Sequence, residues 1–515
     1  MSESSPIRSR RSAAVASLAG NAGTTLVASL QALLLVPLYI HELGPRLYGA
    51  WLASGDVLLW LQSFDLGLPN VMIQRIAFAH GKGDHRTASE YFVTGTAILG
   101  VVSVSVAGAL FWAAPAIPRW LNVTGSEAAL LARCIRLGAI ASGLTLLNWA
   151  VVGYSRAVQD TAAMNLAAVV ASLVGFGVTV VLLLRGFGLW SLVFGSCARA
   201  AGSILGSVAY LISRGRDGRF TRLHIRRAAA LDMLSLSPST ALAGIGYALM
   251  NQSENAIVGV MLGPDRVPIL AITRKGADVL RGLLDMIGFA TYGSFAHLVA
   301  STDRARAPRV YGEIVSLNLS LGVAAAAAYM AVNPSFVTRW VGGSFFGGPW
   351  LTLLIASQML TMSVSYLINY LYRASGRLVR GSATLIVECA VRVPLMVLLA
   401  STIGLIGVPL AGLITSGVSA VLVHTWAIAE LTRFSEWSFP FAPRVTLARI
   451  GIFALGAASC FVLNIPSWPL VFSVGFAVFA ASAVLLNGID PLLVGVRATA
   501  RGILKGRHSR VMERN

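Results

Sequence analysis

Long apolar runs, each bounded by glycine, proline or a basic cluster, alternate with short polar segments along the whole chain. They fall at roughly 13–40, 48–74, 89–115, 127–153, 161–184, 188–212, 237–263, 267–298, 311–333, 348–372, 379–402, 406–431, 446–465 and 468–487. A helix needs about 20 apolar residues to cross the hydrocarbon core of a bilayer. The pattern therefore predicts an all-α integral membrane protein with about fourteen transmembrane helices. The first run follows Arg8, Arg10 and Arg11, as a secretory signal would, but it far exceeds the 7–15 residues of a signal core and leads into a second span, so it is expected to be retained.

Three local patterns recur at nearly one spacing. Leu43-Gly44-Pro45 after the first span returns as Leu262-Gly263-Pro264 after the seventh, and the Arg156-Ala157 pair after the fourth returns as Arg373-Ala374 after the tenth. The Gly188-Leu189 start of the sixth span returns as Gly404-Leu405 at the twelfth. These offsets agree within three residues, which predicts two six-helix lobes as parallel repeats about an axis along the membrane normal, with two additional C-terminal helices. The expected divisions are an N-terminal lobe over 1–212, a basic linker over 213–236, a C-terminal lobe over 237–432, the two extra helices over 433–487 and a basic tail over 488–515.

Composition agrees: 56% of the 515 residues are hydrophobic and 12% charged, and the mean hydropathy is +0.74. Soluble domains carry roughly twice that charged fraction. The net charge of +19 would suggest nucleic acid in a soluble protein. With the N-terminus in the cytoplasm, however, 27 of the 40 basic residues fall on cytoplasmic segments, five on the opposite side and eight within spans. The charge thus reads as a topology signal with both termini cytoplasmic, and the linker and tail as attracted to anionic lipid. No nucleic acid partner is expected. Cys134, Cys197, Cys389 and Cys460 lie in apolar stretches without metal-ligand spacing and read as core thiols, so neither a disulfide nor a metal site is expected.

Ionisable groups inside spans are costly, and they are the functional candidates by default. The eighth span is richest. Arg274, Asp278, Arg281 and Asp285 follow i, i+4, i+7, i+11 spacing, one stripe of a helix, with Lys275 beside it. At 1.5 Å per residue, Arg274 and Lys275 lie about 10 Å from the outer end and Asp285 about 27 Å. The seventh span carries Asn251, Gln252, Glu254 and Asn255, with Glu254 about 13 Å deep, which suits a pairing with Arg274 or Lys275. The second span carries Asp56 and Asp65, and Asp65 nearly superposes on Asp285 under the repeat. The charges could instead neutralise one another as structural pairs. That reading also covers Glu388 and Arg392, while Arg133 and Arg136 could snorkel. No phosphate loop, H-E-x-x-H or G-x-S-x-G is present, so neither an ATPase nor a catalytic residue is expected.

The first hairpin, P-L-Y-I-H-E-L-G-P-R-L-Y-G over Pro37–Gly49, with F-D-L-G-L over Phe64–Leu68 and then Arg75, resembles the polysaccharide-biosynthesis flippases. These are the Wzx-type O-antigen and related lipid-linked oligosaccharide transporters of the MOP superfamily. Gly404–Val408 and Ala374–Arg377 look like the family's second half. The resemblance implies two six-helix lobes, with spans 1, 2, 7 and 8 lining a basic lumen. It also implies transport of an undecaprenyl-diphosphate-linked oligosaccharide across the bacterial inner membrane.

Substrate contacts are then expected at Arg274, Lys275, Arg281, Arg133, Arg136, Asn251 and Asn255. Exchange of H⁺ or Na⁺ is expected at Asp56, Asp65, Glu254, Asp278 or Asp285. No cofactor and no enzyme activity are expected, and a glycan polymerase and glycosyltransferases are the expected neighbours. Two alternatives are a small-molecule exporter of the same superfamily and a membrane glycan polymerase or glycosyltransferase. Lumenal acids would favour the first and a long outer loop the second.

Overall fold

The computed structural model describes residues 6–62, 65, 67–215, 224–434 and 442–493. Arg216, Arg219 and Arg222 of the expected linker and the expected tail from 494 onward lie outside the described residues, as do the side chains of Arg8, Arg10 and Arg11. The apolar runs form α1 (Pro6–Gln62), α2 (Leu68–Gly81), α3 (His85–Ala113), the single-turn α4 (Ile117–Trp120), α5 (Gly125–Ala157), α6 (Ala162–Leu184), α7 (Trp190–Gly215) and α8 (Arg227–Gln252). They continue as α9 (Glu254–Met261), α10 (Val267–Ala300), α11 (Ala307–Trp340), α12 (Pro349–Ala374), α13 (Leu378–Ile403), α14 (Gly407–Leu431), α15 (Pro443–Val462) and α16 (Trp468–Ile489).

These helices map onto fourteen spans once two features are recognised. α1 holds the first span and half of the second, divided at Gly44, whose backbone is non-helical (φ 72°, ψ 162°). The second span resumes as α2 after Gly67, and the seventh is made of α8 and α9 in series. Ten of the described helical segments are long and apolar enough to cross a membrane, one of them holding both α13 and α14. Large apolar side chains such as Val104, Trp112, Leu205, Val379 and Phe476 are strongly exposed, as a lipid-facing surface requires. The linker is shorter than its composition suggests, because α7 runs to Gly215 and α8 begins at Arg227.

The repeat is visible in the backbone. Gly263 (φ 92°, ψ 156°) adopts nearly the conformation of Gly44, 219 positions earlier. Only glycine enters that region without strain. Two ion pairs also correspond. Arg214 near the end of α7 pairs with Asp160 ahead of α6, and Glu430 near the end of α14 pairs with Arg377 ahead of α13 at 2.7 Å. The positions differ by 216 and 217, and the signs are reversed.

The chain divides into two compact units, Met1–Pro268 and Ile269–Asn515. The seventh span thus packs with the first unit, one span beyond the division that the repeat suggests. In the first unit, Leu68, Met72 and Ile76 of α2 form a core with Phe92, Tyr154 and Met233. Asp84 caps α3 by accepting from the Thr87 amide at 2.9 Å, which holds its carboxyl below the usual carboxylate range. Gly49 is required by close approach: a Cβ there would lie 1.9 Å from the Pro264 carbonyl oxygen. In the second unit, Phe295, Tyr311, Leu367, Tyr372 and Val423 form the corresponding core. α11 is the most enclosed helix, with α12, α15 and α16 packed on it.

Candidate functional site: charges within the spans

In the second unit, the charged stripe of α10 is internally paired. Arg274 Nε lies 3.1 Å from Asp278 Oδ2, and Arg281 Nε 3.8 Å from Asp285 Oδ2. Both are i, i+4 pairs, and three of the four side chains are less than a quarter exposed. Lys275, half-buried beside them, has no hydrogen bond or ion pair among the described residues. Three cations against two acids leave the stripe with one positive charge, and Lys275 is the group through which it is available. Upper turns of the helix are fixed by Tyr329, whose hydroxyl donates to the Thr273 carbonyl at 2.6 Å, and by the Gly347 amide, which donates to Thr273 Oγ1 at 3.0 Å.

The stripe continues into the interior of that unit. Arg281 Nη1 lies 3.5 Å from Met362 Sδ, and Arg392 Nη2 of α13 lies 3.1 Å from the same sulfur. Arg392 is wholly buried, 4.0 Å from Glu388, whose Oε1 accepts from Ser416 at 2.8 Å. A row of charged groups thus runs from Asp285 through both arginines to Glu388, an acid at each end and a polarizable thioether between the two guanidinium groups.

In the first unit, Asp56 is not an open carboxylate. It is 5% exposed, and its Oδ2 accepts from the backbone amides of Asn255 (2.9 Å) and Ala256 (3.1 Å), while Oδ1 accepts from Asn255 Nδ2 at 3.0 Å. It therefore caps α9. Asn255 is thereby engaged by Asp56, and Glu254, at the first position of α9, is buried. Asn251 sits in the last turn of α8, half-buried. Asp65 accepts from the Gly67 amide at 2.7 Å, at the turn into α2. Although Asp65 and Asp285 match under the repeat, one lies at an interruption of its span and the other within a continuous helix. Arg133 is exposed, and Arg136 lies over the Phe111 ring at 5.3 Å. Midway along α2, Arg75 pairs with Asp232 of α8 at 2.6 Å, and Tyr91 donates to the same carboxylate at 3.0 Å.

All four cysteines are free thiols, three of them buried. Among the described residues no group of three or more His, Cys, Asp or Glu could hold a metal ion.

A profile of the family described as "Polysaccharide biosynthesis protein" matches residues 64–344, more than half of the chain. The chain belongs to this family. The match includes α2, the interrupted seventh span and the whole α10 stripe. No curated protein matches this polysaccharide biosynthesis protein closely enough to report. Among solved structures, the lipid II flippase MurJ in an inward closed conformation is similar at a TM-score of 0.64 and 9% identity, covering 92% of this chain and 98% of that one. An outward-facing multidrug resistance MATE transporter of the MOP superfamily is similar at 0.58 and 17%, covering 80% and 93%. A mutant of the MATE transporter VcmN of Vibrio cholerae is similar at 0.57 and 14%, covering 82% and 98%. At these identities the likeness shows the fold alone.

Two features of this family member escape sequence reading. Trp60 was legible only as an apolar residue, although it stands four positions from Asp56 on one helix face. Met362 likewise gives no sign that it separates two arginines brought together from helices more than a hundred residues apart.

Proposed function

We propose that this polysaccharide biosynthesis protein flips an undecaprenyl-diphosphate-linked oligosaccharide, an O-antigen or exopolysaccharide repeat unit, across the bacterial inner membrane by alternating access. The observation that carries the reading is the α10 stripe, three cations on one span with Lys275 lacking a hydrogen-bond or ion-pair partner among the described residues. A diphosphate needs several cationic donors to leave water, and guanidinium groups donate charge-assisted hydrogen bonds to its oxygens. Lys275 offers the first contact at no cost in broken pairs. Arg274 and Arg281 can follow only by loosening Asp278 and Asp285. A carboxylate that loses its cation in a low-dielectric setting gains by taking up H⁺ or Na⁺. Substrate binding and ion uptake would be linked through these two pairs, with Asp65 and Glu254 as further candidates. Arg133, Arg136 and Asn251 would contact the headgroup or sugars. Both termini would be cytoplasmic, and no catalytic residue is assigned.

The test is glycan export in a strain lacking the gene, complemented at equal protein level. Lys275→Ala, Arg274→Ala and Arg281→Ala are each expected to reduce export at least about tenfold, the equivalent of one charge-assisted contact. Normal export by all three would remove the stripe from the substrate path. Efflux of organic cations with no glycan phenotype would instead assign the protein to small-molecule export.

A further inference from the structure

The run Asn251-Gln252-Ser253-Glu254-Asn255 places five polar residues in succession within a span. It coincides with the division between α8 and α9, where Ser253 (φ −94°, ψ −16°) belongs to neither helix. The Ser253 hydroxyl donates back to the Leu249 carbonyl, a bond that bends helices.

In a continuous α-helix the Ala256 amide would donate to the Gln252 carbonyl. Here each half of that bond has another partner, and both come from one face of α1. The Gln252 carbonyl accepts from Trp60 Nε1 at 3.0 Å, and the Ala256 amide donates to Asp56 Oδ2 at 3.1 Å. The Asn255 amide, which would donate to the Asn251 carbonyl in a straight helix, also donates to Asp56, at 2.9 Å. Asp56 and Trp60 stand one helical turn apart and fit the break on both sides. A buried backbone group without a partner is expensive inside a membrane, so interruption and clamp depend on each other.

We infer that the seventh span is a two-position hinge at Ser253, with Asp56 and Trp60 as the positioning residues that hold its bent form. Straightening re-forms the Gln252–Ala256 and Asn251–Asn255 bonds and releases the Asp56 carboxylate and the Trp60 indole. The helix bonds and the clamp bonds substitute for one another, which is what allows two discrete arrangements of one element. The transport cycle uses the exchange between them. This rests on the proposed function only for the export readout, since the hinge itself is measurable without cargo.

Two measurements on the full-length protein in lipid nanodiscs test it. Amide hydrogen exchange across 250–258 reads the clamp. Asp56→Ala is expected to accelerate exchange at Asn255 and Ala256 at least tenfold, while Asp56→Asn, which keeps an accepting oxygen, stays within about threefold of the parent. Ala256→Pro reads the exchange between forms. Proline is tolerated in the first turn of α9; it gives up the Ala256 amide's bond to Asp56, leaves both bonds from Asn255 to Asp56 in place, and cannot form the straight-helix bond. The variant is expected to fold, keep protection elsewhere and lose export at least tenfold. Unchanged exchange in Asp56→Ala, or unchanged export by Ala256→Pro, overturns the hinge. Arg274→Ala and Lys275→Ala, which test the cargo, leave exchange at these two amides at the parent rate, so the two readings fail separately.

Discussion

Arg449 of α15 shows how a single intramembrane cation is made tolerable. Its Nη2 donates to Ser316 Oγ (2.6 Å), the Ser316 carbonyl (3.1 Å) and Ser320 Oγ (2.9 Å) and pairs with Asp490 at 2.9 Å. Asp490 is 1% exposed. Removing one partner of a buried pair leaves a charge without compensation, which typically costs about 3–5 kcal/mol. Arg449→Met should therefore lower the thermal transition in detergent by that equivalent, whereas Arg449→Lys retains the charge and loses less. The sequence marks Arg449 as a cation within a span but gives no partner, because Asp490 stands 41 positions away in what reads as the start of a basic tail. The α10 stripe is the contrasting case, since i, i+4 spacing makes its pairs readable directly. Arg281→Ala deprives Asp285 of its cation and should destabilise the protein, while Lys275→Met removes no pair and should leave the thermal transition within about 1 kcal/mol of the parent. Differential scanning fluorimetry on both variants separates binding from structural loss.

At the level of elements, apolar runs separated by turn residues made the fourteen spans readable, because bilayer thickness fixes helix length. Interruptions inside spans were not readable. The seventh span looks continuous by hydropathy, and the polar run over 251–255 could as well line one face of an unbroken helix. What decides between them is supplied by Asp56 and Trp60, almost two hundred residues earlier. Internal symmetry was partly readable, since L-G-P turns mark both halves, but the reversed pairs at 160/214 and 377/430 share no residue identity. Half-exposed pairs of this kind contribute about 0–1 kcal/mol. Asp160→Arg alone should cost up to about 1 kcal/mol through repulsion with Arg214, and the double variant with Arg214→Asp should recover it. A double-mutant cycle of thermal stabilities checks this, and failure to recover would mean that the surroundings, not the pair, set the sign.

For the whole molecule, the two C-terminal helices are fastened to the second unit by polar contacts as well as by packing. α15 meets α11 where a Cβ on Gly456 would lie 2.6 Å from the Ala327 Cα. In lipid, the apolar face of α11 would remain solvated without them, so packing alone gives them little hold. The hydroxyls of Ser316 and Ser320 would lose Arg449. A chain ending at residue 434 is expected to insert but to show reduced yield and a lower thermal transition, and Ser316→Ala with Ser320→Ala should restore part of it. Size-exclusion profiles of the three proteins provide the measurement.

The sign reversal between the two ion pairs has a consequence for descent. If the halves arose by duplication of one six-helix ancestor, neither charge could reverse alone without passing through a like-charged intermediate at a helix end. Recombination between the two gene segments with a crossover between the paired positions would place Asp160 opposite Glu430, or Arg377 opposite Arg214. The reversal would thus discourage gene conversion from making the halves alike again, and leave each free to specialise.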